Sequence, residues 1–362
     1  MRIRYSLDEN NKPVPVAKIY TDAEHPIKRK DIDGNAVGII RRLQKAGHQA
    51  YIVGGAVRDL ISGKTPKDFD IVTCASPSGI KKIFRGARII GKRFRLVHVY
   101  VGKKYIEVST FRALDSDDLN TYGTIEQDAF RRDFTINAMY YDPITGELID
   151  FTDGYIHLRQ KKLIPIINPD TIFTEDPVRI IRALKYAARM DLSIDRKLEK
   201  KIKEQSWLLE EVSASRLTEE IFKILQSGES AKIWQKYREY GIMPYLLPEI
   251  SSLCEAKKDN LSWQIWDEIF IEHDLYIKEL TRETTKEDLI IPFVKLFLIR
   301  EGAVLMLFKD IYKAIKHFIS PFTPPNRDIE SAIRRLRHKK KRRKRKKKTR
   351  PRTIYIEKKQ AQ

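Results

Sequence analysis

Cysteine is nearly absent: Cys74 and Cys254 are the only two in 362 residues, and neither sits in a CxxC spacing. That excludes a disulfide framework and a cysteine-ligated zinc site, and both thiols are expected to be buried as small hydrophobes. No apolar run approaches the ~20 residues a membrane span needs. The opening MRIRYSLDENNKPVP lacks the apolar core of a secretory signal. The expectation is a chain that keeps off membranes, in a reducing cytoplasm. Acidic residues are missing near the other end. From Arg334 to Arg352 there are fifteen Lys or Arg and no Asp or Glu, which is most of the net +21. That run has no apolar period and is expected to be disordered until it meets a polyanion.

With 42% hydrophobic and 33% charged residues, the chain has the make-up of a globular protein long enough for two or three units. Residues 1–30 look like a loosely ordered lead-in. Asp31 to Gly47 has helical periodicity, Tyr51–Val53 and Phe69–Thr73 read as strands, and Pro77–Arg85 as a short helix. Phe94–Val101 and Tyr105–Phe111 form a plausible hairpin around Gly102. The mixed α/β unit over 31–150 gives way to helices. These are expected over 176–190, with Asp176 as N-cap and Pro177 in the first turn, and then around 195–207, 215–227, 230–240, 261–280 and 286–317. Pro321, Pro324 and Pro325 mark a break before the basic tail, taken as 326–362.

The most informative stretch runs from Tyr51 to Asp70, YIVGGAVRDLISGKTPKDFD. Gly54 and Gly55 follow an apolar strand and can let backbone N–H groups approach an anion. Arg58 adds a fork of donors for phosphate, with Asp59 buttressing the loop. On an extended chain Asp68 and Asp70 point to one side while Phe69 points into the core. A paired carboxylate suits Mg²⁺, which also holds substrate phosphates. Either element alone is usually a turn or a solvated strand end; together and in order they are much more specific.

Further on, Glu107 in YIEVSTF could complete the metal site or be an ordinary solvent-facing glutamate. QDAFRRDFTIN offers Arg131 and Arg132 for a triphosphate, Asp133 for ribose hydroxyls and Asn137 as an amide partner. Asp176 and Arg179, three apart on the helix, present an acceptor and a fork of donors to one side, with Arg182 a turn later.

GGAVRD, DFD, RRDFTIN and EDPVR taken in order resemble the polymerase-β-like nucleotidyltransferases, in the bacterial branch holding CCA-adding tRNA nucleotidyltransferases and poly(A) polymerases. The resemblance covers roughly residues 25–250. It implies an α+β fold, with a nucleotidyltransferase head of mixed sheet and helices (31–150), a helical neck carrying the nucleobase-binding helix (151–228), a helical RNA-binding body (229–325) and the disordered basic tail. It also implies that Asp133 counts with Asp68 and Asp70 as catalytic, and that Arg131, Arg132 and Asn137 contact the nucleotide. Asp176, Arg179 and Arg182 would read its base. Two Mg²⁺ ions and ATP are the implied cofactor and substrate, and single-stranded RNA 3′ ends the partner.

The stretch IIGKRFRLVHV, the lead-in before Gly54 and the segment SASRLTEEIFKILQSG are similar to the poly(A) polymerase side of the family. Lys92, Arg93 and Arg95 would then hold RNA or triphosphate near the metals, and Lys339, Arg342 and Lys346 would anchor RNA from the tail. The connection from Arg112 to Asp128 is shorter than in the better-known poly(A) polymerases, and the region after about 250 matches poorly. The sequence therefore predicts AMP addition from ATP to RNA 3′ ends with pyrophosphate release. CCA addition to tRNA and a catalytically silent RNA-binding protein are the alternatives. A small-molecule nucleotidylyltransferase is disfavoured by RRDFTIN followed by EDPVR.

Overall fold

The computed structural model describes residues 1–7, 11–91, 95–102, 104–114, 121–258, 260–301 and 307–336. They form two units, one of 1–179 and 186–205, the other of 180–185 and the residues from 206 onward.

The first unit is built on a mixed sheet. Its strands are β1 (Arg2–Leu7), β2 (Pro13–Tyr20), β3 (Ala50–Val53), β4 (Asp70–Thr73), β5 (Arg88–Ile90), β6 (Leu96–Val101), β7 (Lys104–Thr110), β8 (Met139–Asp142) and β9 (Glu147–Asp150), in the order β1-β2-β9-β8-β3-β4-β7-β6-β5. All neighbours are antiparallel except β4 and β7. Strand β3 is buried along its whole length, as expected for an unbroken apolar run at the centre of a sheet covered on both faces. The lead-in is not loose: β1 and β2 pair with each other, and β2 extends the sheet through β9. Its alternating apolar residues were hidden by the prolines at 13 and 15, which are tolerated because that part of β2 pairs with β1 alone and meets β9 only from Lys18 to Tyr20.

One face of the sheet packs on α1 (Gly34–Lys45), α2 (Gly55–Ile61) and α3 (Pro77–Ile83). Helix α1 starts where the Asp33 carboxylate accepts from the Asn35 N–H at 2.7 Å, and the chain turns away at Gly47 with φ +84°, a left-handed turn suited to glycine. The other face carries a cluster of Tyr51, Val53, Val72, Tyr140 and Ile149 closed by Ile125 and Ala129 of α4 (Ile125–Phe130), whose start is a Thr124–Gln127 capping box. The unit continues through α5 (Gly154–Arg159), α6 (Ile172–Glu175), the outer parts of α7 (Val178–Met190) and α8 (Arg196–Gln205).

The second unit is helical among the described residues: α9 (Ala214–Leu225), α10 (Ser230–Glu239), α11 (Met243–Leu246), α12 (Pro248–Ala256), α13 (Trp263–Glu279), α14 (Lys286–Arg300) and α15 (Phe308–Phe318). Trp234, Trp266, Phe270 and Phe293 meet edge-on or tilted in its core. The tail does not begin at 326. Residues 326–336 are helical, burying Ile329, Ala332 and Ile333, an apolar spacing that the adjoining cations obscured. Arg334 pairs with Glu330, and Arg335 with Glu287 and Asp288, so two of the fifteen cations are neutralised within the unit. Burial works against the charge on Asp288, yet hydrogen bonds from Arg282, Thr285 and Arg335 hold its carboxyl far below the usual range. Cys254 is buried, which pushes its thiol up to about 12, whereas Cys74 is exposed, contrary to expectation. No helix among the described residues is long and apolar enough to cross a membrane.

Candidate active site

Strand β3 ends at Val53, and Gly54, with φ +71° and ψ −125°, turns the chain directly into α2. That backbone state is open to glycine and strained for other residues. Val53 pairs with Asp70 across β3 and β4, so the second aspartate of DFD begins its strand beside the glycine turn. Asp68 precedes it by two residues, just ahead of β4, and both are exposed. Phe69 is only half-buried rather than in the core, because β4 starts one residue later than expected.

Two exposed carboxylates beside a loop that admits an anion fit a hard divalent cation sharing its coordination with substrate phosphates. Among the described residues no group of three or more His, Cys, Asp or Glu could hold a metal. Glu107 is therefore not brought into a triad with the two aspartates. It sits opposite His98 on the neighbouring strand, 3.4 Å from its Nε2.

The RRD segment is where the structure adds most. Arg132 donates twice to Asp128 Oδ2, at 2.8 and 3.1 Å, once to Tyr140 Oη at 3.2 Å and once to the Asn137 carbonyl at 3.3 Å. Tyr140 also donates to Asp128, at 2.8 Å. Burial opposes the charge on Asp128, but Arg132 and these hydrogen bonds leave its carboxyl below the usual range. Thus Arg132 is locked in place, and its Nη1 lies against Gly54. Arg131 is half-buried; its backbone N–H donates to the Gln127 carbonyl at 3.3 Å, and its guanidinium makes no hydrogen bond or ion pair among the described residues. Burial, with Arg112 and Arg132 close by, draws its guanidinium down to about 10, and burial shifts Arg112 the same way. Three crowded cations with one buried carboxylate among them create a positive site that an incoming polyanion would relieve.

Behind the loop runs a buried polar chain. Asn137 Nδ2 donates to Asp133 Oδ1 at 3.0 Å, and Asn137 Oδ1 accepts from Arg58 Nη1 at 2.6 Å. Arg58 also donates to Asp59 Oδ1 at 3.1 and 3.2 Å and stacks over Tyr186. Only 4% exposed, Arg58 braces the turn from behind, a different place from the phosphate-facing one the sequence suggests. Asp133 Oδ1 further accepts from the Phe134 N–H at 2.8 Å.

Asp176 Oδ1 accepts from the Val178 N–H at 3.2 Å, although the N-cap of α7 is Pro177, one residue later than expected, and Asp176 closes α6; Arg179 Nη1 is held by Glu175 Oε2 at 2.8 Å and the Ile172 carbonyl at 3.1 Å. Arg182 falls in the second unit, where it is one of the cations facing Glu220. Arg95 is exposed just ahead of β6. Lys92, Arg93, Lys339, Arg342 and Lys346 lie outside the described residues. Sequence reasoning missed Asp128, Arg112, Tyr140 and Tyr186. The i,i+4 spacing of Asp128 on α4 and Arg132 just beyond its end was an available signal for the first; the others depend on sheet register and tertiary packing.

Residues 50–164 match the Poly A polymerase head domain, and 191–254 match the probable RNA and SrmB-binding site of polymerase A. The chain belongs to the nucleotidyltransferase family that holds bacterial poly(A) polymerases and CCA-adding enzymes. It is 41% identical to poly(A) polymerase I of Haemophilus influenzae over 257 residues, 66% of this chain and 57% of that protein. The corresponding protein of Salmonella typhi is 38% identical over 285 residues, 74% of this chain and 61% of the relative. The chain thus spans about three fifths of the length of these relatives. A CCA-adding enzyme of Bacillus stearothermophilus solved with CTP superposes with a TM-score of 0.58 at 25% identity, covering 84% of this chain and 82% of that one.

Proposed function

We propose that this protein is a template-independent RNA nucleotidyltransferase that adds AMP from ATP to RNA 3′ ends. The observation carrying the reading is the locked Arg132 guanidinium against Gly54, with Asp70 paired to the adjoining Val53. It joins a cation site for a triphosphate to a carboxylate pair for a metal. Asp68 and Asp70 would hold two magnesium ions, which when bound supply charge neutralisation on the triphosphate and acidify the primer hydroxyl. Arg131 and Arg132 bind the triphosphate, the turn at Gly54 and Gly55 admits it closely, and Arg58 with Asn137 and Asp59 keeps that turn rigid. Asp133 is set at the end of the Asn137 chain to accept from ribose hydroxyls. The Nε and Nη2 of Arg179 have no partner among the described residues and serve, with Asp176, as the base-reading edge.

In the reaction a bond forms between the primer 3′ oxygen and the α-phosphorus. The bond from that phosphorus to the bridging oxygen breaks, pyrophosphate leaves and the hydroxyl proton passes to water. Catalysis is in-line positioning and charge stabilisation without a protein nucleophile. The preference for ATP over successive CTP and ATP addition rests on the higher identity to poly(A) polymerases and on the basic segment around residues 88–95. Likeness to the CCA-adding enzyme supports the second reading, repair of tRNA 3′ ends. Primer extension with each nucleoside triphosphate separately, on a generic oligonucleotide and on tRNA lacking its 3′ end, tests both. Long ATP-dependent tails on both primers are expected. Addition that stops after CCA on tRNA alone overturns the first reading, and no transfer to either overturns both.

A further inference from the structure

On strands β5, β6 and β7 a strip of rings stands on the same sheet face as Asp70. Register fixes this. Ile71 pairs with Val108 in the parallel β4–β7 ladder, so Asp70 and Glu107 share a face; Glu107 pairs with His98, Tyr105 with Tyr100, and His98 with Arg88. His98 and Tyr105 stack with centroids 4.0 Å apart and planes 9° from parallel, and Tyr100 follows at 5.9 Å from Tyr105. Arg88 covers the ring of Tyr100 at 5.4 Å. Both tyrosines keep much of their surface in water, 41% for Tyr100 and 50% for Tyr105.

Cross-strand pairing alone accounts for the contact between the rings. It does not account for two tyrosines exposed together on the face that carries the carboxylates. The surrounding charge is one-sided as well: from Ile71 to Ile106 the chain has nine Lys or Arg and no Asp or Glu. Glu107, paired with His98, lies between the rings and Asp70, which is two strand spacings, roughly 10 Å, from His98.

We propose that Tyr105, His98 and Tyr100 form a stacking platform for the 3′-terminal bases of a single-stranded RNA primer, whose phosphates the exposed Arg88, Arg95 and Lys104 hold. The inference rests on the reading of the chain as an RNA nucleotidyltransferase. Stacking is indifferent to base identity because every base offers a π-face, so the platform accepts diverse 3′ ends and then the growing adenosine tail.

The test uses the full chain and a labelled oligoadenylate. Tyr105→Leu keeps apolar bulk on the hairpin and removes the ring; Tyr105→Trp keeps a ring. The Leu variant is expected to weaken RNA binding, measured without ATP, about tenfold and to raise the primer KM by the same factor, with Trp restoring both. A single abasic nucleotide near the primer 3′ end is expected to weaken binding to the natural protein but to add nothing in the Leu variant. Equal binding by the Leu variant, additive losses, or a loss confined to kcat or to the KM for ATP would overturn the platform. If Tyr105→Leu fails to fold, Tyr100→Leu at the outer end of the strip decides by the same measurements. A natural protein that extends no RNA sinks the proposed function, while the binding arm still judges the rings.

Discussion

The Arg132 guanidinium lies directly against the turn at Gly54: a Cβ placed on Gly54 would sit 3.8 Å from the Arg132 Nη1. The space would therefore tolerate a methyl group, and the constraint on this position is the backbone. Gly54→Ala is expected to destabilise the first unit by about 1–3 kcal/mol through its φ of +71° and to lower nucleotide transfer at least tenfold. Denaturant titration and initial rates measure the two effects. A variant with full stability and full rate would mean that the turn relaxes without consequence for the triphosphate.

Asp68 and Asp70 lie in solvent, so their removal separates chemistry from folding. Asp68→Asn and Asp70→Asn are each expected to remove transfer while changing unfolding free energy by no more than ~0.5 kcal/mol. A Mg²⁺ titration should show the natural protein saturating and the variants not responding. Transfer persisting in either folded variant would sink the carboxylate assignment.

The strength of GGAVRD and DFD as signals came from local chemistry: a glycine needing positive φ, and carboxylates set two apart on extended chain. The long helix beginning at EDPVR was legible for the same reason, since its cap and its apolar period are both local. The role of Arg58 was not legible. A guanidinium looks alike in sequence whether it faces a ligand or braces a loop, and only the packing of Asn137 and Tyr186 around it decides. Likewise β2 joins the sheet through β9, far along the chain, a pairing that no window of sequence contains. Helix 326–336 was lost because the adjoining run of cations masked its apolar spacing.

Asn137 is the link between two buried charges, accepting from Arg58 and donating to Asp133. Asn137→Ala takes one hydrogen bond from each, while Arg58 keeps Asp59 and Asp133 keeps the Phe134 N–H, and losing these two buried bonds should destabilise the first unit by about 1–3 kcal/mol. Asn137→Asp would meet Arg58 well but set a second carboxylate against Asp133. It is expected to recover stability only as acid protonates one of the pair. Chemical denaturation of both variants at neutral and mildly acid pH tests this; a neutral-pH Asp variant as stable as the natural protein would contradict the assigned orientation of the amide.

In the second unit Lys185 donates to Glu220 at 2.5 Å, with both side chains buried. Burial alone would raise the Glu220 carboxyl, but Lys185, Lys223 and Arg182 outweigh it and bring it to about 2. A depressed carboxyl contributes stability that is complete above its unfolded value near 4.5 and is lost as pH falls towards 2. Unfolding free energy should therefore drop between about pH 4.5 and 2, and Glu220→Gln should flatten that limb. Lys185→Met leaves the carboxylate buried without its partner and is expected to lose about 3–5 kcal/mol at neutral pH. An unchanged acid limb in Glu220→Gln would assign that limb to other carboxylates, Asp288 foremost.

The pairing of Arg335 with Glu287 and Asp288 sets where the chain can be cut. Removing residues from 337 onward takes away thirteen Lys or Arg up to Arg352 while sparing the helix that holds Arg335, whereas a cut at 334 would also open the Asp288 cluster. The shorter truncation is expected to weaken binding to single-stranded RNA. It should also reduce the dependence of log Kd on log salt by roughly 0.7 for each RNA phosphate that the basic run neutralises. Turnover at saturating primer should change far less, because the carboxylates and Arg132 lie in the other unit. Arg335→Ala should do the opposite, lowering stability while leaving the salt slope unchanged. A salt slope identical before and after the 337 truncation would remove the basic run from RNA binding and leave that role to the basic segment around β5 and β6.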